Sequence, residues 1–252
     1  SAMCVLYSRR GHRGLRGEGR RQREMCISGS YPPCSSGGTE ERGVRQGHFQ
    51  EQTTGGGKRE RTRSALLDAT ASVVAAKGME AAKILDITEA AGLANGTFYN
   101  YFTDKDEILR ETAYGIALAV SRQLDEEMAG IEDGAKRVTT ATARFIDITI
   151  AEPDWAHVLL GSAEHLPDVR RDIYHYLRSD IERGVEQGKF DVDVTDFLLD
   201  QVAALIGVAL RAQLHGGRDP ALTRAACESI LRLLGMSPAK ARKLAEAAPA
   251  QK

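Results

Sequence analysis

The sequence predicts an all-α fold, a small three-helix domain followed by a larger helical one. Three observations carry that expectation. From Lys58 onward, apolar residues recur at three- and four-residue spacing, the period of a helix that buries one face. Gly and Pro stand between these stretches, where they stop and start helices. No stretch alternates apolar and polar residues between turn signals. "FDVDV" (190–194) alternates over only five residues without a partner and reads as a loop.

Residues 1–57 differ from the rest. They hold 12 of the 25 Gly, nine Arg against five Glu, and only six Leu, Ile, Val and Phe together. So little apolar surface cannot offset the entropy of ordering the segment. It is expected to be a disordered tail or a start assigned too far upstream, with Ser1-Ala2-Met3 a cloning scar. The alternative is a basic arm on DNA phosphates, densest at "RRGHRGLRGEGRRQR" (9–23).

The elements follow in order. "RTRSALLDATASVVAAKG" stripes Leu66, Leu67, Thr70, Val73 and Val74 along one face, and Gly78 ends it. A short helix carries Ile84, Ile87, Ala90 and Ala91, and Gly92 ends that. A third helix is expected over 95–102. Thr103 and Asp104 read as the cap of a long helix from Lys105 to about Met128, with Glu107 completing a capping box. Further helices are expected over 133–151, 154–164, 166–187, 194–215, 220–234 and 238–247. Pro153 and Pro167 suit first turns, Gly235 suits a stop, and Ser237-Pro238 reads as a cap followed by a first-turn Pro.

Bulk numbers exclude several functions. The net charge of −1 announces no nucleic-acid partner by itself, so attraction to DNA must come from placement. No apolar run approaches the length of a membrane span, and no secretory signal is visible, so a cytoplasmic protein is expected. Cys4, Cys26, Cys34 and Cys227 lack metal-ligand spacing. No metal or other cofactor is expected.

Three short helices with a tight turn before the third is the arrangement of a helix-turn-helix. In "LANGTFYNYFTDK" (93–105), Phe98 and Phe102 lie four apart and go inward, with Leu93 under the turn. Thr97 and Tyr101 are left facing outward with Asn100 beside them and Tyr99 further round. Such a face suits phosphate oxygens and base edges. A small aromatic core cluster would explain Phe98 and Phe102 but not Tyr99-Asn100-Tyr101.

Residues 78–109, "GMEAAKILDITEAAGLANGTFYNYFTDKDEIL", resemble the DNA-binding segment of the TetR family of transcriptional regulators. Gly96-Thr97, Phe98, Tyr99-Asn100-Tyr101-Phe102 and Lys105 match its pattern. The resemblance implies an N-terminal three-helix DNA-binding domain with a helix-turn-helix (58–104) and a C-terminal helical ligand-binding and dimerisation domain (105–252). It also implies that Thr97, Tyr99 and Tyr101 contact phosphates or bases. Asn95, Gly96 and Asn100 would lie against base edges, and Lys105 would pair with a phosphate. Arg59, Arg61 and Arg63, in "KRERTR" at the start of the first helix, are the expected phosphate partners beside it. The sequence departs from the family pattern at Ala82-Lys83, Leu85 and Ala94, where a cap, a cation and a cap are usual; Lys83 is then the second helix's candidate contact.

"VTDFLLDQVAALIGVALRAQLH" (194–215) is apolar nearly all round and must be covered on more than one side. The resemblance implies that this helix and the stripe of 220–234 pair with their copies as a four-helix homodimer interface, through Phe197, Val202, Leu205, Leu222, Ile230 and Leu233. The middle helices are expected to hold a small-molecule effector among aromatic and polar groups. The candidates are Tyr114, Phe145, Trp155, His157, His165 and Tyr174. Cys227 reads as a buried small apolar residue.

The expected function is a dimeric, ligand-responsive DNA-binding regulator, a repressor on a pseudo-palindromic double-stranded operator, with no membrane partner. Two alternatives stay open at this level. One is a helical-bundle enzyme using His157, Glu164, His165 and Tyr174–176, though no nucleophile–base pairing supports it. The other is a dimerising adaptor without DNA binding.

Overall fold

A computed structural model describes residues 48–52 and 57–248. Among these, helices are the only regular structure: α1 (His48–Gln52), α2 (Lys58–Lys77), α3 (Ile84–Ala90), α4 (Asn95–Phe98), α5 (Lys105–Glu127), α6 (Gly134–Ala151), α7 (Pro153–His165), α8 (Pro167–Glu186), α9 (Asp196–Gly216), α10 (Pro220–Leu233) and α11 (Pro238–Glu246). The readings of the tail over 1–47 and 53–56 lie outside the described residues. "FDVDV" is irregular backbone, as expected.

Two expectations need correction. First, α1 falls within the segment expected to lie outside the fold. Its Phe49 is buried and joins the core of α2, α5 and α7. The backbone N–H groups of Phe49 and Gln50 donate to the Asp68 carboxylate at 3.0 and 3.1 Å. The His48 ring meets Trp155 edge-on at 4.5 Å. One ring and one carboxylate thus hold a five-residue helix that could not persist alone. Second, α4 is one turn long, not two. After Phe98 the chain tightens: Asn100 N–H donates to Thr97 O and Tyr101 N–H to Phe98 O. These are three-residue closures, the tighter geometry common at helix ends.

The long helices begin and end for visible reasons. Asp104 accepts from Glu107 N–H at 2.8 Å. The Glu107 carboxylate in turn accepts from Thr103, whose N–H lies at 2.5 Å and hydroxyl at 2.7 Å. Those bonds hold the Glu107 carboxyl below its ordinary pKa. Asp133 caps α6 through Lys136 N–H at 3.0 Å, and Thr195 caps α9 through Leu198 N–H at 3.2 Å. Ser237 precedes a first-turn Pro as expected but makes no side-chain capping bond.

The apolar interior falls into two large clusters. One joins α1–α5 and α7, with Ile148 of α6, around Leu66, Ile87, Phe98, Phe102, Ile108 and Ile116. The other joins α6 and α8–α11 around Ile181, Leu199, Val202, Ile230 and Leu231. The first cluster runs straight through 104/105, because α5 buries Ile108, Leu109, Ala113 and Ile116 against the helix-turn-helix. Burying each such side chain contributes about 1.5–3 kcal/mol. In the second cluster α6 crosses α8 at backbone distance. A Cβ on Gly134 would stand 2.5 Å from Gly184 N, and one on Gly184 would stand 2.3 Å from the Phe190 ring. Of the described helices, α9 alone has the length and mean hydropathy (1.5) of a membrane span. Here Leu198, Leu199, Val202, Ala209 and Leu210 are packed against protein.

Candidate nucleic-acid interface and ligand cavity

The turn between α3 and α4 is built from the sequence upward. Gly92 takes φ +66, a left-handed backbone that a Cβ disfavours. Leu93 N–H then closes on Thr88 O at 2.9 Å, and the Thr88 hydroxyl donates to Ile84 O at 3.1 Å. α3 starts at Lys83, whose N–H donates to Asp86 at 3.2 Å. Asp86 also pairs with Lys77 at 2.8 Å, and that bond holds its carboxyl below the ordinary value. Ala94 gives α4 no side-chain cap. Its carbonyl accepts from Thr97 N–H at 2.8 Å.

α4 has two faces. Phe98 and Phe102 are sealed in the core, their rings 5.7 Å apart. Asn95, Gly96, Tyr99 and Asn100 are exposed, Tyr99 by 58%. Thr97 and Tyr101 are half-buried, and Tyr101 packs against the core edge. Arg59 lies over the Tyr101 ring at 5.5 Å and donates to Asn100 O at 3.3 Å. This places a guanidinium beside the exposed face of α4. Arg61 on α2 and Lys83 at the head of α3 are exposed, as is Leu85 on α3.

Two expected phosphate partners are engaged within the protein. Arg63 pairs with Glu111 and lies over the Phe102 ring at 5.3 Å. Lys105 Nζ donates to Glu80 O at 3.0 Å and reaches Met79 O at 3.5 Å. An ammonium has three protons. Lys105 therefore ties α5 to the turn after α2 and keeps one proton for an outside acceptor. Arg63, by contrast, is a link between α2 and α5.

A cavity of about 410 Å³ opens between α5, α6, α7, α8 and α9. Leu124, Phe145, Leu160, Leu177, Ile206 and Leu210 supply its apolar wall, and Ser121, Thr142, Asp180 and Arg211 supply polar groups. Of the expected ligand residues, Phe145 and Tyr174 line it. The other four stand elsewhere. Tyr114 is half exposed, a turn before the first α5 residue of the lining. Trp155 packs on the α1–α2 core beside His48. His157 bonds back to Pro153 O at 2.7 Å, and His165 is exposed at the end of α7. The wall of α7 that meets the cavity is instead Leu159, Leu160, Ser162 and Ala163. Helical phase decided this, since rings adjacent in sequence point to different sides.

Thr142 and Asp180 were not expected at a site. A visible signal existed for Asp180, a charge on the apolar face of α8 between Leu177 and Ile181. Arg137 Nε meets it at 2.5 Å, and Arg137 Nη1 donates to Met128 O at 3.2 Å at the end of α5.

The expected dimer face divides similarly. Val202 and Ile230 are fully enclosed within the protomer, so neither can meet a second copy. Phe197 (71% exposed), Val208 (59%) and Leu222 remain on the surface, with Leu205 and Leu233 half-buried beside them.

The family model described as bacterial regulatory proteins, tetR family, matches residues 66–112. The chain is 27% identical over 143 residues to the HTH-type transcriptional repressor KstR2 of Rhodococcus jostii (strain RHA1), a match covering 52% of this chain and 70% of that protein. It is 35% identical over 114 residues to the HTH-type transcriptional regulator BetI of Pseudomonas aeruginosa (strain LESB58), covering 43% of this chain and 58% of BetI. Among solved structures, RolR in complex with resorcinol superposes with a TM-score of 0.59 at 24% identity, covering 77% of this chain and 98% of that one. FadR from Bacillus subtilis in complex with stearoyl-CoA superposes with a TM-score of 0.56 at 17% identity, covering 68% and 96%. At such identities the structural likeness establishes the fold.

Proposed function

We propose that this chain, which belongs to the TetR family of bacterial regulatory proteins and is therefore a DNA-binding transcriptional regulator and not an enzyme, acts as a dimeric repressor that a small-molecule effector releases from its operator. The observation that carries this reading is the division of α4. Two sealed Phe rings anchor a turn whose other side presents Asn95, Gly96, Tyr99 and Asn100 to solvent, with Arg59 alongside. An amide and small residues suit base edges in a major groove, while Tyr hydroxyls and guanidinium suit phosphates.

The dimer is proposed from the exposed apolar stripe of α9 and α10: Phe197, Val208 and Leu222, flanked by Leu205 and Leu233. Exposed apolar residues aligned along two helices favour a self-complementary partner. Two copies would read a pseudo-palindrome with half-sites about 34–36 Å, or a multiple of it, apart. The cavity between α5 and α9 is the proposed effector site, and the bacterial cytoplasm, where DNA lies, is the proposed place of action. RolR and FadR were solved with ligands as unlike as resorcinol and stearoyl-CoA. The identity of the effector must therefore come from this chain's own lining.

The test is a mobility shift with DNA from upstream of the chain's own gene. Wild type is expected to shift it, and Tyr99→Ala with Asn100→Ala to abolish the shift while the oligomeric state stays unchanged. Equal binding by that double variant would remove α4 from the interface.

A further inference from the structure

The cavity reaches the protein surface at α9. Two residues of its lining, Ala204 and Arg211, are exposed on the outer side of that helix. They stand on the same stripe as its exposed apolar residues. Phe197, Gln201, Ala204, Val208, Arg211 and His215 follow one another at alternating steps of four and three. That spacing puts all six on one face, the seam along which one helix meets another. Beside the seam lies Gly207, where an added Cβ would stand 3.5 Å from Leu160 Cδ2 and 3.6 Å from Arg211 Nη2. Leu160 belongs to the cavity wall. The Arg211 guanidinium therefore lies along the edge where the cavity wall turns into the outer face of α9.

This seam needs cover. α9 has the mean hydropathy of a membrane span, yet only 39% of its apolar window is buried within the protomer. A bilayer is disfavoured as the cover, because Gln201, Arg211 and His215 interrupt the seam. A second copy fits it. About a twofold axis midway between Ala204 and Val208, two antiparallel α9 helices set each Val208 against the other copy's Ala204, a larger side chain on a smaller one. The same axis brings each Phe197 to the other copy's His215, so the face is complementary to itself. Ala204 is then covered by the second copy on its outer side and open to the cavity on its inner side.

We propose that a second copy of this chain completes the cavity. Its α9 closes the lip at Ala204 and Arg211, so that a bound molecule is enclosed by the pair and not by one protomer. This rests on reading α9 as the dimer face and the cavity as the effector site. The experiment uses the full chain carrying Ala204→Cys, labelled with N-ethylmaleimide and read by peptide mapping, which separates the new thiol from the native cysteines. Ala76→Cys, exposed on α2 and outside both lining and seam, is the reference. Sedimentation velocity reads the oligomeric state of each sample. In the dimer, the Ala204→Cys thiol is expected to label roughly tenfold or more slowly than the reference, the behaviour of a thiol reached only through local opening. Adding Phe197→Arg should give a monomer in which the two rates agree. A dimer in which Ala204→Cys labels as fast as Ala76→Cys overturns the proposal and leaves the dimer reading standing. So does slow labelling that persists in the monomer. A dimer that survives Phe197→Arg overturns the seam. A chain that sediments as a monomer without Phe197→Arg overturns the dimer reading and the proposal together.

Discussion

In the proposed reading, Asn100 is the α4 side chain assigned to base edges. Its side chain is exposed while its carbonyl is held by Arg59. Asn100→Ala should leave the melting temperature unchanged and weaken specific operator binding by about 1–3 kcal/mol, checked by titrated mobility shift against an unrelated duplex. Cys227 makes the opposite kind of prediction. Burial pushes its thiol up to about 12, and its Sγ lies against Thr139 O. Peptide mapping after iodoacetamide treatment at pH 8 should find Cys227 unmodified in the native protein and alkylated after denaturation. Arg144 holds the Glu127 carboxyl below its ordinary 4.5. A depressed folded-state value adds stability above pH 4.5, and that stability is lost as pH falls through the lower folded value. Glu127→Gln should therefore flatten the fall in stability below pH 4.5 in acid denaturation. These residues were unequally legible in the sequence. The α4 aromatics could be sorted because helical spacing alone separates Phe98 and Phe102 from Tyr99 and Asn100. The cavity residues could not, because whether Trp155 or Leu160 faces the cavity depends on how α7 is rotated against α5.

At the scale of elements, close backbone contact makes the sharpest prediction. α6 and α8 touch at Gly134 and Gly184, where the atom nearest an added Cβ on Gly134 is backbone and cannot rotate away. Gly134→Ala should cost about 1–3 kcal/mol of unfolding free energy, read from urea midpoints. Gly115 is the matching site for α1, since a Cβ there would stand 2.5 Å from the Phe49 ring. Gly115→Ala should expose the 48–52 segment to limited proteolysis while leaving α2 protected. The helix boundaries were mostly readable, because Gly, Pro and Asp mark them one by one. α1 was not. It contributes a single apolar side chain in a stretch of tail-like composition, and its stability comes from Asp68 and Trp155, far along the chain.

At the scale of the whole molecule, the proposed dimer face is testable by one charge. Val208 is 59% exposed in the middle of α9. Val208→Arg should convert dimer to monomer in sedimentation velocity without loss of helical content, and with it lose most operator affinity, because the two half-sites would then be bound independently. The all-helical architecture followed from periodicity, but the way the interior divides did not. The first cluster includes α7, which starts more than fifty residues after the end of α4, and nothing local in the sequence ties the two. α5 belongs to that core at one end and to the cavity at the other. At its start Lys105 grips Glu80 O beside the helix-turn-helix, and at its finish Met128 O is held by the same Arg137 that holds Asp180. Its 23 residues make a rod of about 34 Å. A tilt of about 5° at the Arg137 end therefore displaces the far end by about 3 Å, the length of one hydrogen bond. If the proposed effector mechanism holds, leverage of that order would let a rearrangement too small to disturb either core still undo a fit to the groove.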